Sequence, residues 1–196
     1  PKNPVKRCGV SRGTGTSVYF RPDSLIFGQN TKFDPSLLKE TLEAKSYLHK
    51  GLKITFKDGT AGEMHQFFHE QGIEEYLAKL VHDRGKKPTV DFVFYLDKAL
   101  NSTDKSEAYN EGFALEVALQ WTDEPAEFVR SYVNGVITSS GGTHEVGLRS
   151  GLVKAVRNYM DTHNLSPKGL QIQAEDIREG LACVLSILIL HPQFQG

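Results

Sequence analysis

The stretch SSGGTHEVGLR at 139–149, running on into an amphipathic segment that ends near 163, constrains this chain more than any other feature. Two adjacent glycines let the backbone turn sharply, Thr143 suits an N-cap, and Glu145 falls in the first turn, where the helix dipole favours a carboxylate. A helix beginning at His144 is therefore predicted. On it Leu148, Leu152, Val153, Ala155, Val156, Tyr159 and Met160 share one broad arc, and Ser150, Lys154, Arg157, Asn158 and Asp161 share the opposite one. Arg149 breaks the pattern. It projects from the apolar arc between Val156 and Met160, where a guanidinium needs a carboxylate partner or an opening to solvent or ligand.

The other elements follow from periodicity and punctuation. Residues 16–21 read as a strand entered through a Gly-Thr-Gly turn. Asp34-Pro35 starts a helix and Gly51 stops it, giving 35–50. Residues 52–58 alternate as a half-buried strand, and Asp58-Gly59 signals a hairpin into 63–70. From Gly72 a second helix places Ile73, Tyr76, Leu77, Leu80 and Val81 on one face. A β-branched and aromatic run predicts a strand over 89–96, followed by a polar loop over 101–110. Phe113, Leu115, Val117, Leu119 and Trp121 alternate as a strand buried on one side, with 128–138 as its expected hairpin partner. A turn at 166–169, a short acidic helix at 174–179 and a buried central strand at 181–190 complete the chain. Strands with helices segregated between them predict an α+β two-layer sandwich.

Chemistry of a self-contained enzyme is hard to find. Lys and Arg total 23 against 24 Asp and Glu, a formal net charge of -1, so any contact with nucleic acid must be local. Paired carboxylates such as Glu74-Glu75, Asp123-Glu124 and Glu175-Asp176 fall at helix starts or in loops, where solvation or dipole pairing accounts for them. There is no P-loop, no GxSxG and no CxxC. His65 and His69 are spaced to share a metal, but no third ligand stands at useful spacing, so no metal site is expected. Cys8 and Cys183 fit a reducing, cytoplasmic setting, and the longest apolar run is too short to span a bilayer. Pro1 is not an initiator residue, so the sequence is expected to be a piece of a longer protein.

The run SYVNGVITSSGGTHEVGLRSGL, the later AEDIREGLACVLSI and the terminal HPQFQG resemble the transducer domain of the B subunit of bacterial type IIA topoisomerases, DNA gyrase and topoisomerase IV. Upstream, GTGTSVYFRPDSLIF resembles the last strand of the GHKL-type ATPase domain of that subunit, and FDPSLLKETLEAKSYLHKGLKITFKDG its linking helix and first transducer strand. The resemblance implies two domains, the ATPase edge at 1–28 and the transducer at 29–196. It also implies a fold resembling domain 2 of ribosomal protein S5, whose βαβ unit crosses over with the left hand. SYVNGVIT, GLRSGL, NLSPKGL and ITFKD look closer to topoisomerase IV than to gyrase.

That resemblance implies a coupling role. The parent subunit would bind ATP and Mg2+, dimerise with a second B subunit, work with the A subunit, and pass double-stranded DNA through a gate. In the family the TGT element lies at the nucleotide, which maps onto Gly15 and Thr16, with Thr16 in the polar network around the adenine. The arginine of the GGTHxxGxR segment maps onto Arg149 and faces the cavity through which DNA moves; Lys154 and Arg157 are weaker DNA-facing candidates. No catalytic residue is expected within the chain, because the base lies upstream and the Gln-Thr-Lys loop would begin where the sequence stops. From a different class, the chain could be a stand-alone S5-like module that binds nucleic acid or protein without ATP coupling.

Overall fold

The computed structural model describes residues 6, 9–10, 12–13, 22–29, 31–59, 61–100, 113–165 and 169–195. The chain divides into two compact units, 1–34 and 35–196. The strand expected at 16–21, with Gly15 and Thr16, and the loop expected at 101–110 lie outside the described residues.

In the first unit a single helical turn, α1 (Ser24–Phe27), is capped by Asp23, whose carboxylate accepts from the Leu25 N–H at 2.9 Å. Sequence reading passes over it because one turn carries no periodicity. The second unit contains α2 (Pro35–Leu48), β1 (Ile54–Lys57), β2 (Met64–Phe67), α3 (Ile73–Asp83), β3 (Phe94–Leu100), β4 (Phe113–Trp121), β5 (Phe128–Val133), β6 (Val136–Ile137), α4 (Thr143–Thr162), α5 (Ala174–Arg178) and β7 (Leu181–Leu188). β1 and β2 form an antiparallel ribbon, and the other five strands form one mixed sheet in the order β3-β4-β7-β5-β6.

β7 decides the layout. Leu181, Cys183, Leu185 and Ile187 point to one face, and Ala182 and Val184 to the other, so each face needs a cover. α2 and α3 cover one face through Tyr47, Leu48, Ile73, Tyr76, Leu77 and Val81. Leu148 and Leu152 of α4 pack on the other. The α+β class holds, but helices stand on both faces of the sheet, not on one side as a two-layer sandwich would have them. A strand apolar on both sides is most stable at the centre of a sheet, and β7 takes that place between β4 and β5.

This corrects the expected pairing. The segment 128–138 is not the hairpin partner of β4; β4 pairs antiparallel with β3 and β7, and β5 runs parallel to β7. The segment is instead its own hairpin, β5 with β6, turning at Asn134 and Gly135, both at positive φ (50° and 72°) as a two-residue type I′ turn requires. The strand expected over 89–96 begins only at Phe94. Before that, the Gln120 amide donates to the carbonyls of Val90 and Phe92 (2.9 and 3.3 Å), satisfying backbone that a ladder would otherwise have paired.

Cys183 has no accessible surface, and burial pushes its thiol up to about 12. Iodoacetamide at neutral pH is therefore expected to leave Cys183 unmodified in the native protein and to alkylate it after unfolding. Peptide mass spectrometry reads the site, and rapid native labelling at Cys183 would contradict the packing of β7 against α4.

Candidate functional site

The site is built where α4 leaves the β6 hairpin. Gly142 takes the cap position in place of Thr143, without a side-chain hydrogen bond. Glu145, in the first turn as expected, is buried at 8% exposure. Its carboxylate accepts a hydrogen bond from the Ser131 hydroxyl of β5 and meets the Arg149 guanidinium, one turn on, at 3.1 Å. Ser131 Oγ lies 2.6 Å from Thr138 Oγ1, and His144 Nε2 lies 3.0 Å from Thr138 Oγ1 and 3.1 Å from Ser131 Oγ. With the Ser131 proton given to Glu145, a His144 Nε2–H serves these two hydroxyl oxygens. Loop, strand and helix start are thus tied together, and Gly141 leaves room for it: a Cβ there would stand 3.1 Å from Glu145.

Arg149 lies on the inward arc of α4, as its position among Leu148, Leu152 and Val156 dictates. Its guanidinium is paired on two sides. Nε donates to Glu127 at 2.8 Å, and Nη2 faces Glu145. Burial alone works against the charged form, but the hydrogen bond and charge of Glu127, with Glu145 beside it, raise the guanidinium above its ordinary value. Of the two options that the sequence leaves open, the carboxylate is present, and so is an opening: the side chain keeps 30% exposure and borders two grooves.

The groove of about 660 Å³ between α4 and α5 gathers the sequence candidates. Arg149, Lys154 and Arg157 line it together, with Arg178 of α5, which sequence reading missed, and a single acidic wall residue, Asp161. Arg157 Nη2 donates to the Ile172 carbonyl at 3.2 Å, and Arg178 donates to Glu175 at 2.9 Å and Glu127 at 3.3 Å. Glu127, also missed, lies 51 residues from Arg178 in sequence, so no local spacing could have linked them. Guanidiniums on two elements thus reach one trough, where the carboxylates of Glu127, Glu145 and Glu175 already pair with them.

The histidine pair does not converge. His65 Nε2 meets Glu63 at 3.0 Å, while His69 Nδ1 meets Glu75 at 2.9 Å and its ring stacks on Tyr47 at 3.5 Å. Among the described residues no group of three or more His, Cys, Asp or Glu could hold a metal ion, and no helix is long and apolar enough to cross a membrane.

The family model for DNA gyrase B matches residues 72–196. The chain is 37% identical over 198 residues to the DNA gyrase B subunit of Thermotoga maritima, covering 100% of this chain and 30% of that protein. It is 38% identical over 186 residues to the DNA topoisomerase 4 B subunit of Pseudomonas aeruginosa, covering 94% of this chain and 28% of that one. Among solved structures, the 43K ATPase domain of Thermus thermophilus gyrase B, in complex with an aminocoumarin, superposes with a TM-score of 0.74 at 28% identity over 90% of this chain and 45% of its own. The topoisomerase IV ATP binding domain of Francisella tularensis, in complex with a small-molecule inhibitor, gives 0.65 at 28% identity, over 86% and 42%. The chain thus spans less than a third of these two full-length relatives, and on the match of both family model and sequence it belongs to the DNA gyrase B family.

Proposed function

We propose that this chain is the transducer of an ATP-dependent type II topoisomerase B subunit, coupling ATP binding and hydrolysis to DNA strand passage, with topoisomerase IV favoured over gyrase. The observation that carries the reading is the α4–α5 groove, where Arg149 stands among Lys154, Arg157 and Arg178 at the start of a helix pinned to the sheet. In this reading residues 29–196 are the transducer and 1–28 the edge of the ATPase domain. The parallel β5–β7 pair joined through α4 and α5 is the unit that the S5-like, left-handed crossover would describe. Gly15 and Thr16 would lie at the adenine, ATP and Mg2+ would come with the upstream domain, and the partners would be duplex DNA, the A subunit and a second B subunit, in the cytoplasm.

Strand passage needs a rigid element that reports nucleotide state to DNA. The pinned start of α4 supplies rigidity, and the groove gathers four basic side chains in one place although the whole chain stands at -1. The full-length protein, mixed with its A subunit, is expected to decatenate linked DNA circles only when ATP is present, without introducing negative supercoils. ATP-dependent supercoiling of a relaxed plasmid would move the reading to gyrase. Absence of both activities from a folded, assembled complex would reject it.

A further inference from the structure

Glu127 lies in the loop between β4 and β5, and its two oxygens are shared between two helices. Oε1 takes Arg149 Nε at 2.8 Å, and Oε2 takes Arg178 Nη1 at 3.3 Å. One anion whose two oxygens bridge two guanidiniums is the arrangement that a phosphodiester makes with a pair of arginines. Both arginines line the α4–α5 groove, along which Lys154 and Arg157 continue the positive charge. At the arginines themselves the balance is reversed: Glu145, buried, and Glu175, exposed, are their second partners at 3.1 and 2.9 Å, so two guanidiniums meet three carboxylates. A phosphate arriving there meets net negative charge, and it gains full contact only by taking the place of a carboxylate. Glu127 is the one whose removal takes a carboxylate from both cations at once, leaving Arg149 with Glu145 and Arg178 with Glu175.

We propose that Arg149 and Arg178 form a seat for one phosphodiester of duplex DNA, and that the Glu127 carboxylate fills this seat until DNA displaces it. The proposal rests on the DNA-facing reading of α4. Exchange of one anion for another on the same donors keeps the charge-assisted bonds, so the seat binds weakly at rest and engages when DNA is held in the groove by Lys154 and Arg157. Glu127 acts here as a positioning residue: it keeps both guanidiniums extended toward a common point while lowering their affinity for stray anions.

The test is binding of a short fluorescein-labelled duplex to the full-length protein, read by anisotropy across a KCl series. Glu127→Gln is expected to tighten binding about 10-fold at low salt and to steepen the plot of log K against log salt by roughly 1, at about 0.9 per phosphate neutralised. Glu127→Asp, which keeps the charge, should keep the wild-type slope. Adding Arg149→Gln or Arg178→Gln to Glu127→Gln should remove the gain. If Glu127→Gln does not fold, Glu175→Gln removes an exposed carboxylate from Arg178 alone, leaving it with Glu127, and should steepen the slope by a smaller step. An unchanged slope in a natively folded Glu127→Gln overturns the seat, as does a gain that survives loss of either arginine. If Arg149→Gln alone still weakens binding in that case, the DNA-facing reading stands. If Arg149→Gln, Lys154→Gln and Arg157→Gln all leave binding unchanged, that reading falls as well.

Discussion

Gly180→Ala is expected to destabilise the protein by about 3 to 5 kcal/mol and to lower Tm by roughly 10 °C. Gly180 joins α5 to β7 at φ 76°, a conformation that costs an L-residue about 1 kcal/mol or more. The larger contribution is steric. A Cβ there would stand 2.5 Å from the Thr122 carbonyl oxygen and 3.2 Å from that of Glu124, both backbone atoms. Thr122 cannot retreat, because its N–H and its hydroxyl both donate to the Gly180 carbonyl, at 2.8 and 3.1 Å, and Trp121 Nε1 donates to the Ile177 carbonyl at 2.9 Å. Relief would shift the first residues of β7, the strand that feeds both cores. Gly169 is the internal control: its φ is 77°, yet a Cβ there meets nothing within 4 Å, so Gly169→Ala should cost only about 1 kcal/mol. Calorimetric melts of the two variants separate backbone strain from collision, and equal losses would refute the collision at Gly180.

How much of the fold is legible in the sequence depends on the range of the forces involved. Helices α2, α3 and α4 and the buried strand β7 are readable because apolar periodicity is a local signal that burial enforces. The partners of β4 are not, since whether 128–138 or 181–190 lies beside it is settled by which strand needs cover on both faces. The Asn134-Gly135 turn does carry a signal, two residues suited to positive φ, but the apolar residues on either side allow it to be read as one continuous strand. Gln120 substituting for a strand ladder over Val90 and Phe92 has no sequence signature at all. In the site, Arg149 is conspicuous as a charge on an apolar arc, and Glu145 lies one turn from it. Glu127 and Arg178 come from a loop and a five-residue helix that only the tertiary fold brings to the same point.

Arg149→Gln is the variant in which structure and proposed function give separable outcomes. The sequence leaves two outcomes open: a charge with no internal partner, whose loss would leave folding nearly intact, or an ion-pair member, whose loss would strand a carboxylate; the pairs with Glu127 and Glu145 select the second for stability. Glu127 keeps Arg178, but Glu145, buried, is left with the Ser131 hydroxyl. Removing one member of a fully buried pair costs about 3 to 5 kcal/mol; with Arg149 30% exposed and a glutamine amide able to replace one hydrogen bond, a loss of about 1 to 3 kcal/mol is expected. In the full-length subunit, ATP hydrolysis without DNA should persist, while its stimulation by DNA falls about 10-fold or more, the loss of one charge-assisted contact. Instability alone could mimic that result, and Glu145→Gln tells the two apart. It breaks the same ion pair from the other side and should cost comparable stability, yet it retains the Arg149 cation and leaves it less encumbered. If Arg149 meets DNA, Glu145→Gln keeps DNA stimulation although its Tm is lowered. If the pair serves only to hold α4 on the sheet, both variants lose stimulation in step with their loss of stability, and Arg149 has no part in contacting DNA.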